Sequence, residues 1–516
     1  MKMSATLSES LRDGLPERLR GWWRAWSRDL PLLSALALSA ILLQGYHYGL
    51  EDQAIWLPAI KKSLFPNLYP FDSIFFLAQT RFSLFPQTMA FFIRFTSFPT
   101  DISVFLWHLF SIFLVLLGCL QLARQCFPNP HAQWAAVATI CIARLTPVVG
   151  PHLNLMDRYL HPRDLTTGLL LLALVAVSQR SFLALLWLAL AAVLHPTMAV
   201  FGAFHLTFQA WEAPRKPWIW IVSSSAALFL LLFLFRLKPV PNPAWREILS
   251  SRPYLFPLLW PWYVWICTAA VLATLYWFVN IAHTRALRLV EHLSRRIVLS
   301  GIVGIAGAVI ITCVPAFEWL IPAEPMRTLH FVYFLFVFLG GGLLGETVLQ
   351  RRPLRWLLFL GSIAGVFFIT NKIVYSASPY IELPGRFPRN SWIAAFTWIR
   401  QNTPNDALFA LDPRYMTRPG EDHHGFRAFA ERSVLADWVK DRSVAALEPQ
   451  LAYRWREEEG AVDHWQHFTT RDLQRLTQKQ GAGWVVLERA LNPAPQAAIT
   501  FYCPYSNREL LVCRLP

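Results

Sequence analysis

The chain has 516 residues, of which 55% are hydrophobic and only 15% are charged. Soluble domains carry about 25% charged residues, so this deficit excludes an ordinary soluble protein and favours a chain surrounded largely by lipid. The formal net charge of +15 at pH 7 is also found in nucleic-acid-binding proteins. Here the Lys and Arg residues lie in short loops between apolar runs, which is typical of a membrane protein, and we expect no nucleic-acid partner.

Apolar runs that can cross ~30 Å of hydrocarbon as a helix recur throughout residues 31–375. They predict a polytopic α-helical membrane protein with about eleven transmembrane helices. The apolar segment 86–99 contains Arg94 and Pro99 and is predicted to lie along the membrane interface instead. The predicted spans are 31–46, 101–122, 132–149, 164–178, 181–195, 197–212, 217–236, 262–282, 297–315, 327–349 and 354–375.

The distribution of basic residues predicts the orientation of the chain. The N-terminal arm 1–30 and the loops on the same side hold more Lys and Arg than the opposite loops, although the opposite loops are longer. The positive-inside rule then places the arm in the cytoplasm, and an odd number of spans places the C-terminus outside. The predicted location is the bacterial cytoplasmic (inner) membrane, with membrane lipid as a partner.

From about residue 376 the composition changes, because charges become frequent and helix, strand and turn signals alternate. The segment 376–516 is predicted to be a small extracytoplasmic α/β domain with its own core. Cys503 and Cys513 lie in this domain, but the predicted hairpin does not place them directly opposite, so their pairing is left open. The predicted helices cover 391–400 and 470–480, and the predicted strands cover 407–411, 433–438, 484–487, 499–502 and 510–513.

The predicted topology gathers acidic, basic and histidine side chains on the outer side of the membrane. The first outer loop, 47–100, opens with Glu51 and Asp52 directly after the first span. Carboxylates at this position are suited to act as general bases, and arginines at headgroup depth are suited to bind phosphate. The further candidates are Asp157 and Asp164 as catalytic carboxylates, and Arg158, Arg163, His195, Arg327 and His330 as groups that bind a donor phosphate.

The same side chains have other interpretations. Asp52 and Asp157 are suited to hold a divalent cation, Mg²⁺ or Mn²⁺, as a cofactor. The alternative for all candidates is structural: loop carboxylates can be solvated, and an arginine such as Arg327 can anchor the chain at the interface. Asp157 and Asp164 can pair with Arg158 and Arg163, and His195 can satisfy the backbone at a helix break.

This layout resembles the GT-C superfamily of integral membrane glycosyltransferases, which use polyprenyl-phosphate-linked sugars on the outer membrane face. Glu51-Asp52 is similar to the acidic pair of that family, and Asp157 or Asp164 to its second acidic position. Residues 53–99 resemble its membrane-lying helices, and 392–404 resemble the start of its soluble domain. The WWD-type motif of oligosaccharyltransferases does not occur in the C-terminal domain. The resemblance implies transfer of a sugar from a lipid-linked donor to a glycan, lipid or protein acceptor.

Two other functions fit the composition. A transporter or flippase for a lipid-linked or anionic substrate needs ionisable groups at mid-membrane depth, where His108 is the best candidate. A non-catalytic membrane scaffold needs only an outer domain that binds a partner. The gathering of carboxylates and arginines on one side favours the transferase over both.

Overall fold

The computed structural model describes residues 17–210, 241–386, 390–489 and 501–516, with side chains from residue 28 onward. Most described residues are helical, and the C-terminal part contains a sheet. The helices of the first half are α1 (Glu17–Gln44), α2 (Gln53–Leu64), α3 (Ser73–Thr80), α4 (Phe85–Thr96), α5 (Thr100–Cys126), α6 (Pro130–Ala143), α7 (Pro162–Ser178), α8 (Leu183–Leu194) and α9 (Pro196–Ala210).

The second half begins with a short helix and continues with four long apolar ones before the C-terminal domain, 376–516, which we call the outer domain after its predicted position. The helices are α10 (Pro243–Ser250), α11 (Trp262–Thr284), α12 (Arg288–Cys313), α13 (Leu329–Leu344), α14 (Pro353–Val374), α15 (Ser391–Asn402), α16 (Phe426–Ala430), α17 (Lys440–Leu447), α18 (Ala452–Val462) and α19 (Thr470–Gln480).

Within the described residues, five helical stretches are long and apolar enough to cross a membrane. They support a membrane-associated protein and correspond to five of the predicted spans. A helix of 14 residues such as α6 rises about 21 Å, which is shorter than the ~30 Å hydrocarbon layer. The predicted span 217–236 lies outside the described residues. The five stretches are Thr100–Cys126, Trp262–Thr284, Arg288–Cys313, Pro325–Leu349 and Pro353–Val374.

The predicted span 132–149 is wrong at its C-terminal end, because α6 stops at Ala143. The next residue, Arg144, is fully buried and donates a hydrogen bond of 2.6 Å from Nη1 to the Asp157 carbonyl oxygen. The chain then forms a short antiparallel pair, β1 (Pro147–Val148) with β2 (Leu153–Asn154). A proline at the start of β1 cannot donate the backbone bond that a continued helix requires.

Helix α4 contains most of the segment that we predicted to lie along the interface. Phe91 and Phe95 are 71% and 80% exposed, whereas Phe85 and Met89 are buried. An exposed aromatic face opposite a buried one is the pattern of a helix that rests on a membrane surface.

The outer domain contains a five-stranded sheet with the order β4-β3-β5-β7-β6. The strand β3 pairs in parallel with β4 and β5, and β7 is antiparallel to its two neighbours. The helix predicted at 470–480 is confirmed as α19, where Thr469 forms a capping box and Gly481 ends the helix with positive φ. The strands are β3 (Leu408–Ala410), β4 (Ser433–Val434), β5 (Trp484–Glu488), β6 (Tyr505–Ser506) and β7 (Leu510–Arg514).

The last hairpin differs from the predicted one, and in it Cys503 pairs with Cys513. The strand next to β7 is β6, whereas we predicted 499–502, of which 499 and 500 lie outside the described residues. Because the Arg514 amide donates to the Tyr502 carbonyl, Cys503 comes opposite Cys513, and the two form a disulfide.

The outer domain is attached to the first outer loop by buried ion pairs. The Arg427 side chain, 4% exposed, donates to Asp72 of the loop and, at 2.8 and 2.9 Å, to both carboxylate oxygens of Asp441. An apolar core joins the same two regions, with Trp56 and Phe85 in one cluster with Phe396. The first outer loop and the outer domain therefore fold as one unit on the membrane bundle.

Replacing Arg427 with Met should destabilise the protein strongly. The change leaves Asp72 and Asp441 buried without their cation, which costs about 3–5 kcal/mol. The matched control is Arg456→Met, because Arg456 pairs with Glu247 at 2.8 Å on the exposed surface, and such a pair contributes about 0–1 kcal/mol. Denaturant unfolding of the intact protein in detergent measures both. Equal midpoints for the two variants would contradict the role of Arg427.

Candidate active site

Asp52 is partly exposed at the contact between the first outer loop and the outer domain, a region that we call the cleft. Its Oδ1 atom accepts a hydrogen bond of 2.7 Å from the Lys440 Nζ atom, and its Oδ2 atom is 3.4 Å from the His161 Nε2 atom. Burial raises the pKa of this carboxyl, but Lys440 and His161 outweigh it and hold the pKa well below the ordinary value. The side chain remains 29% exposed. Asp52 is therefore an ionised carboxylate that a ligand can reach.

Lys440 is positioned by the N-terminus of α17. The Asp437 carboxylate accepts hydrogen bonds from the Val439 and Lys440 amides, which caps this helix. The next residue, Asp441, is held by Arg427. The ion pairs that attach the outer domain to the loop therefore also direct the Lys440 ammonium to Asp52. Burial lowers the pKa of Lys440, but Asp52 and then Glu51 outweigh it, so this pKa is raised.

His161 is positioned as the N-cap of α7. Its Nδ1 atom accepts a hydrogen bond of 3.0 Å from the Arg163 amide, so we assign the ring proton to Nε2, which faces Asp52. The ring packs against Trp56 and His195, with centroid separations of 5.9 and 5.7 Å. Burial and then Arg163 lower the pKa of His161, and the nearby carboxylates offset this only in part. His161 is thus a neutral donor at pH 7.

The predicted catalytic carboxylates Asp157 and Asp164 lie behind this site. Arg163 Nη2 donates to both Asp157 oxygens, at 2.7 and 2.6 Å, and both side chains are about 5% exposed or less. The Asp164 carboxylate accepts from the Asp157 amide. Of the pairs in the structural alternative, Asp157 with Arg163 is present, whereas Asp164 accepts from a backbone amide and Arg158 lies over Tyr375.

Glu51 and Arg158 contact the same aromatic residue, Tyr375, at the edge of the cleft. The Tyr375 hydroxyl donates to Glu51 Oε1 at 3.1 Å, and the Arg158 guanidinium lies 4.9 Å from the ring centroid. Glu51 has a φ of 44°, a left-handed conformation, and its amide donates to the His423 carbonyl oxygen of the outer domain. The strained turn separates Glu51 from Asp52, so the two carboxylates face different partners.

Arg327 forms an ion pair with its neighbour Glu324. Its Nε atom donates to Glu324 Oε2 at 2.6 Å, and its side chain is 22% exposed. Burial and the Glu324 charge raise the pKa of the Tyr254 hydroxyl, Arg252 and Arg327 oppose this rise, and Asp52 adds to it. Asp52 and Arg327 therefore both act electrostatically on one phenol, whereas the direct ion pair of Arg327 is with Glu324.

The two remaining candidates, His195 and His330, form hydrogen bonds with backbone groups. The His195 Nδ1 atom accepts from the Met198 amide at 3.4 Å, and His330 Nε2 donates to the Leu155 carbonyl oxygen at 2.9 Å. His195 still contacts the site through its ring against His161. Through its hydrogen bond to Leu155, His330 holds the residue that follows the β1–β2 pair.

The residues do not fit a divalent cation well. Each proposed ligand already carries a cationic side chain, Lys440 on Asp52 and Arg163 on Asp157. Across residues 28–210, 241–386, 390–489 and 501–516, no three His, Cys, Asp or Glu side chains gather as a metal site. The divalent cation stays a prediction, and no step below depends on it.

Sequence reasoning missed Lys440, Tyr254 and the role of His161. Lys440 is separated from Asp52 by 388 positions, and a single lysine at a helix start carries no motif. Asp437, two residues before the N-cap Val439, was the available signal, because its carboxylate can accept from the first amides of the helix that begins at Lys440.

A second buried network fixes the chain segment that precedes Asp52. Glu382 accepts from the Tyr48 amide at 2.9 Å, and its other oxygen contacts His47 at 3.1 Å and His424 at 3.0 Å. Burial opposes both charges, but each partner outweighs it: the pKa of Glu382 falls to about 2 and that of His424 rises to about 9. The segment leaving α1 is therefore held against the outer domain by a buried ion pair.

Stability should fall as the pH rises from about 6.5 through about 9, because His424 has its pKa raised from 6.5 to about 9. The contribution of this charge is complete below the lower value and is lost through the higher one. Thermal unfolding across this range should show a smaller decline for Glu382→Gln, in which the carboxylate no longer raises the pKa of His424. Parallel declines in the two proteins would rule out this ion pair as the cause.

Comparison with known families adds one observation about this site. Residues 390–448 match a family described as Domain of unknown function (DUF6798). No curated protein matches the sequence. The matched segment contains Arg427, Asp437 and Lys440, so the outer-domain side of the cleft lies within it.

Proposed function

We propose that this chain is an inverting membrane glycosyltransferase of the GT-C type. It moves a sugar from a polyprenyl-phosphate donor to a glycan, lipid or protein acceptor on the outer face of the bacterial cytoplasmic membrane. The proposal includes about eleven spans, a cytoplasmic N-terminus and a periplasmic C-terminal domain. The disulfide Cys503–Cys513 supports that location, because disulfides persist in oxidising compartments.

The observation that supports the proposal is the accessible Asp52 carboxylate, which Lys440 and His161 hold at the contact between the first outer loop and the outer domain. A base and an anion-binding guanidinium are the two groups that transfer from a phosphate-linked sugar needs. Helices long enough to cross a membrane suit a donor with a lipid tail, whereas a soluble donor would not need them.

The chemistry is a single displacement at the anomeric carbon. The acceptor hydroxyl oxygen forms a bond to this carbon while the bond to the phosphate oxygen breaks, and the electron pair leaves with the polyprenyl phosphate. As the acceptor oxygen bonds, its proton becomes acidic and moves to Asp52, whose low pKa keeps it ionised and so able to accept the proton. Arg327 stabilises the charge that develops on the departing phosphate.

Lys440 and His161 hold the Asp52 carboxylate in place. Because each contacts a different oxygen of the carboxylate, rotation of the group is restricted. They are positioning residues, since their contacts are with Asp52 and not with the reacting atoms.

Replacing Asp52 with Asn should abolish sugar transfer while folding is retained. Loss of a general base lowers the rate about 10²–10⁴-fold. Membranes that contain the variant, supplied with radiolabelled polyprenyl-phosphate sugars, measure transfer to endogenous acceptors.

The control for this experiment is Asp463→Asn, the same change at a site that is 41% exposed in the outer domain. Thermal unfolding confirms that both variants fold. Full transfer by Asp52→Asn would refute the catalytic role, and movement of the lipid donor across proteoliposomes without transfer would favour a flippase.

Replacing Lys440 with Gln should shift the acid limb of the pH–rate profile to higher pH. The lysine charge lowers the pKa of Asp52, so without it the carboxylate is protonated at a higher pH. Transfer rates measured from acidic to neutral pH test this, with Lys440→Arg as the control that keeps the charge. An unshifted acid limb in Lys440→Gln would show that Lys440 has only a structural role.

A further inference from the structure

Three arginines gather where the outer domain contacts the segment before α11. The guanidinium carbons of Arg414 and Arg442 lie 4.6 and 4.2 Å from the ring centroid of Trp438. Arg252 reaches the residue after Arg442, because its Nη2 atom donates to the Ser443 hydroxyl at 2.8 Å. We call Arg252, Arg414 and Arg442 the arginine cluster.

Most hydrogen-bond donors of the arginine cluster are unused. Within the parts of the chain that the structure describes, the side chains of Arg414 and Arg442 donate no hydrogen bond, and no member of the cluster forms an ion pair. The Nε atoms of Arg252 and Arg442 are buried without a partner among these residues. Stacking on Trp438 occupies only the face of a guanidinium and leaves the N–H groups in its plane free. Because buried polar groups are nearly always bonded, these donors indicate a ligand with several acceptor oxygens.

The charges of the cluster repel one another. Burial lowers the pKa of the Arg442 guanidinium most, the charge of Arg252 is the next cause, and Arg414 adds to the effect. Tyr254 and Glu459 oppose it, but the pKa still falls to about 10. An anion bound at the cluster relieves this repulsion, whereas a cation increases it.

The cluster lies beside the start of a helix that is long enough to cross a membrane. The Arg252 guanidinium carbon is 5.0 Å from the Tyr254 ring centroid, and the Tyr254 carbonyl oxygen accepts from Trp260 Nε1 at 2.9 Å. The Trp260 ring packs on Trp265 of α11, with a centroid separation of 5.7 Å. Trp262, the first residue of α11, is 73% exposed, as is typical of a tryptophan at the membrane interface. Arginines next to such a helix end are suited to the phosphate of a lipid.

Helix α17 connects the cluster to the candidate active site. Ser443, which accepts from Arg252, lies three positions after Lys440 in this helix. Residues three apart lie on the same face of a helix. Arg252 and the Asp52 carboxylate therefore contact the same face of α17.

We infer that the arginine cluster binds a terminal phosphate group. A phosphate monoester carries a charge of about −1.5 to −2 at pH 7 and has three acceptor oxygens, so it compensates several guanidinium groups better than one carboxylate does. The in-plane donors of a guanidinium also match two phosphate oxygens at once. That this phosphate belongs to a substrate of Asp52 rests on the proposed transferase function. The binding itself does not.

Isothermal titration of the full chain in detergent at low ionic strength tests the inference. The probes are dihexanoylphosphatidic acid, a lipid with a terminal phosphate, and inorganic phosphate. At least one probe should bind saturably, and Arg442→Gln should weaken that binding about tenfold because it removes charged donors. Arg475→Gln is the matched control, because Arg475 is 67% exposed and pairs with Asp472 on α19. It should leave the affinity unchanged.

The two probes distinguish the sources of the phosphate. Binding of dihexanoylphosphatidic acid alone would identify a lipid phosphate, and binding of inorganic phosphate with similar affinity would identify a free one. Thermal unfolding should show that Arg442→Gln folds, since the change removes a repelling charge. Arg414→Gln, at an exposed position, provides a second variant that should also weaken binding.

Three results would overturn the inference. They are the absence of saturable binding by both probes, equal affinity in the wild type and in both cluster variants, and equal binding of dihexanoylphosphatidylcholine, which has the same acyl chains without a terminal phosphate. Asp52→Asn should retain phosphate binding, so failure of the transferase proposal leaves this result intact.

Discussion

The buried contact between Arg427, Asp72 and Asp441 is the constraint on which the candidate site depends. Asp72 belongs to the first outer loop, and the other two residues belong to the outer domain. A buried guanidinium between two carboxylates is tolerated only when all its hydrogen bonds are made, which sets the position of one segment against the other. Because Asp441 follows Lys440, the same contact sets the distance from Lys440 to Asp52.

Around the cleft, charged side chains pair with partners of opposite charge. Asp52 differs from the two buried pairs because its side chain is partly exposed. Arg163 with Asp157 and Glu382 with His424 are almost completely buried. Such enclosed pairs serve positioning, since a ligand cannot reach them without breaking them. Asp52 shares its charge with Lys440 but keeps 29% of its side chain exposed, which leaves it accessible to a ligand.

The segment Tyr46–Asp52 connects the first helix to the cleft and is bonded to the outer domain. Tyr46 lies just beyond α1, Glu51 turns with positive φ, and Asp52 enters the cleft. Its backbone is bonded to the outer domain through Glu382 and through the His423 carbonyl oxygen. A short segment of chain that is bonded to the outer domain at both ends has little conformational freedom, so the position of Asp52 is restricted.

Local pattern was sufficient for much of the fold. Apolar runs of span length predicted the five helical stretches that are long enough for a membrane, and the predicted helix 470–480 has the bounds of α19. These features depend on neighbouring residues alone. The end of α6 was misplaced because the burial of Arg144 depends on carbonyl groups of Gly45 and Asp157, which lie elsewhere in the chain.

Composition and loop position singled out Glu51 and Asp52, because an acidic pair directly after a span is visible in the sequence. The different partners of these two carboxylates, the ion pairing of Asp157 with Arg163, and the ion pairing of Lys440 with Asp52 were decided by the tertiary structure. A side-chain pair separated by 388 positions leaves no trace in local periodicity. Only the packing of the outer domain on the first outer loop determines which charges meet.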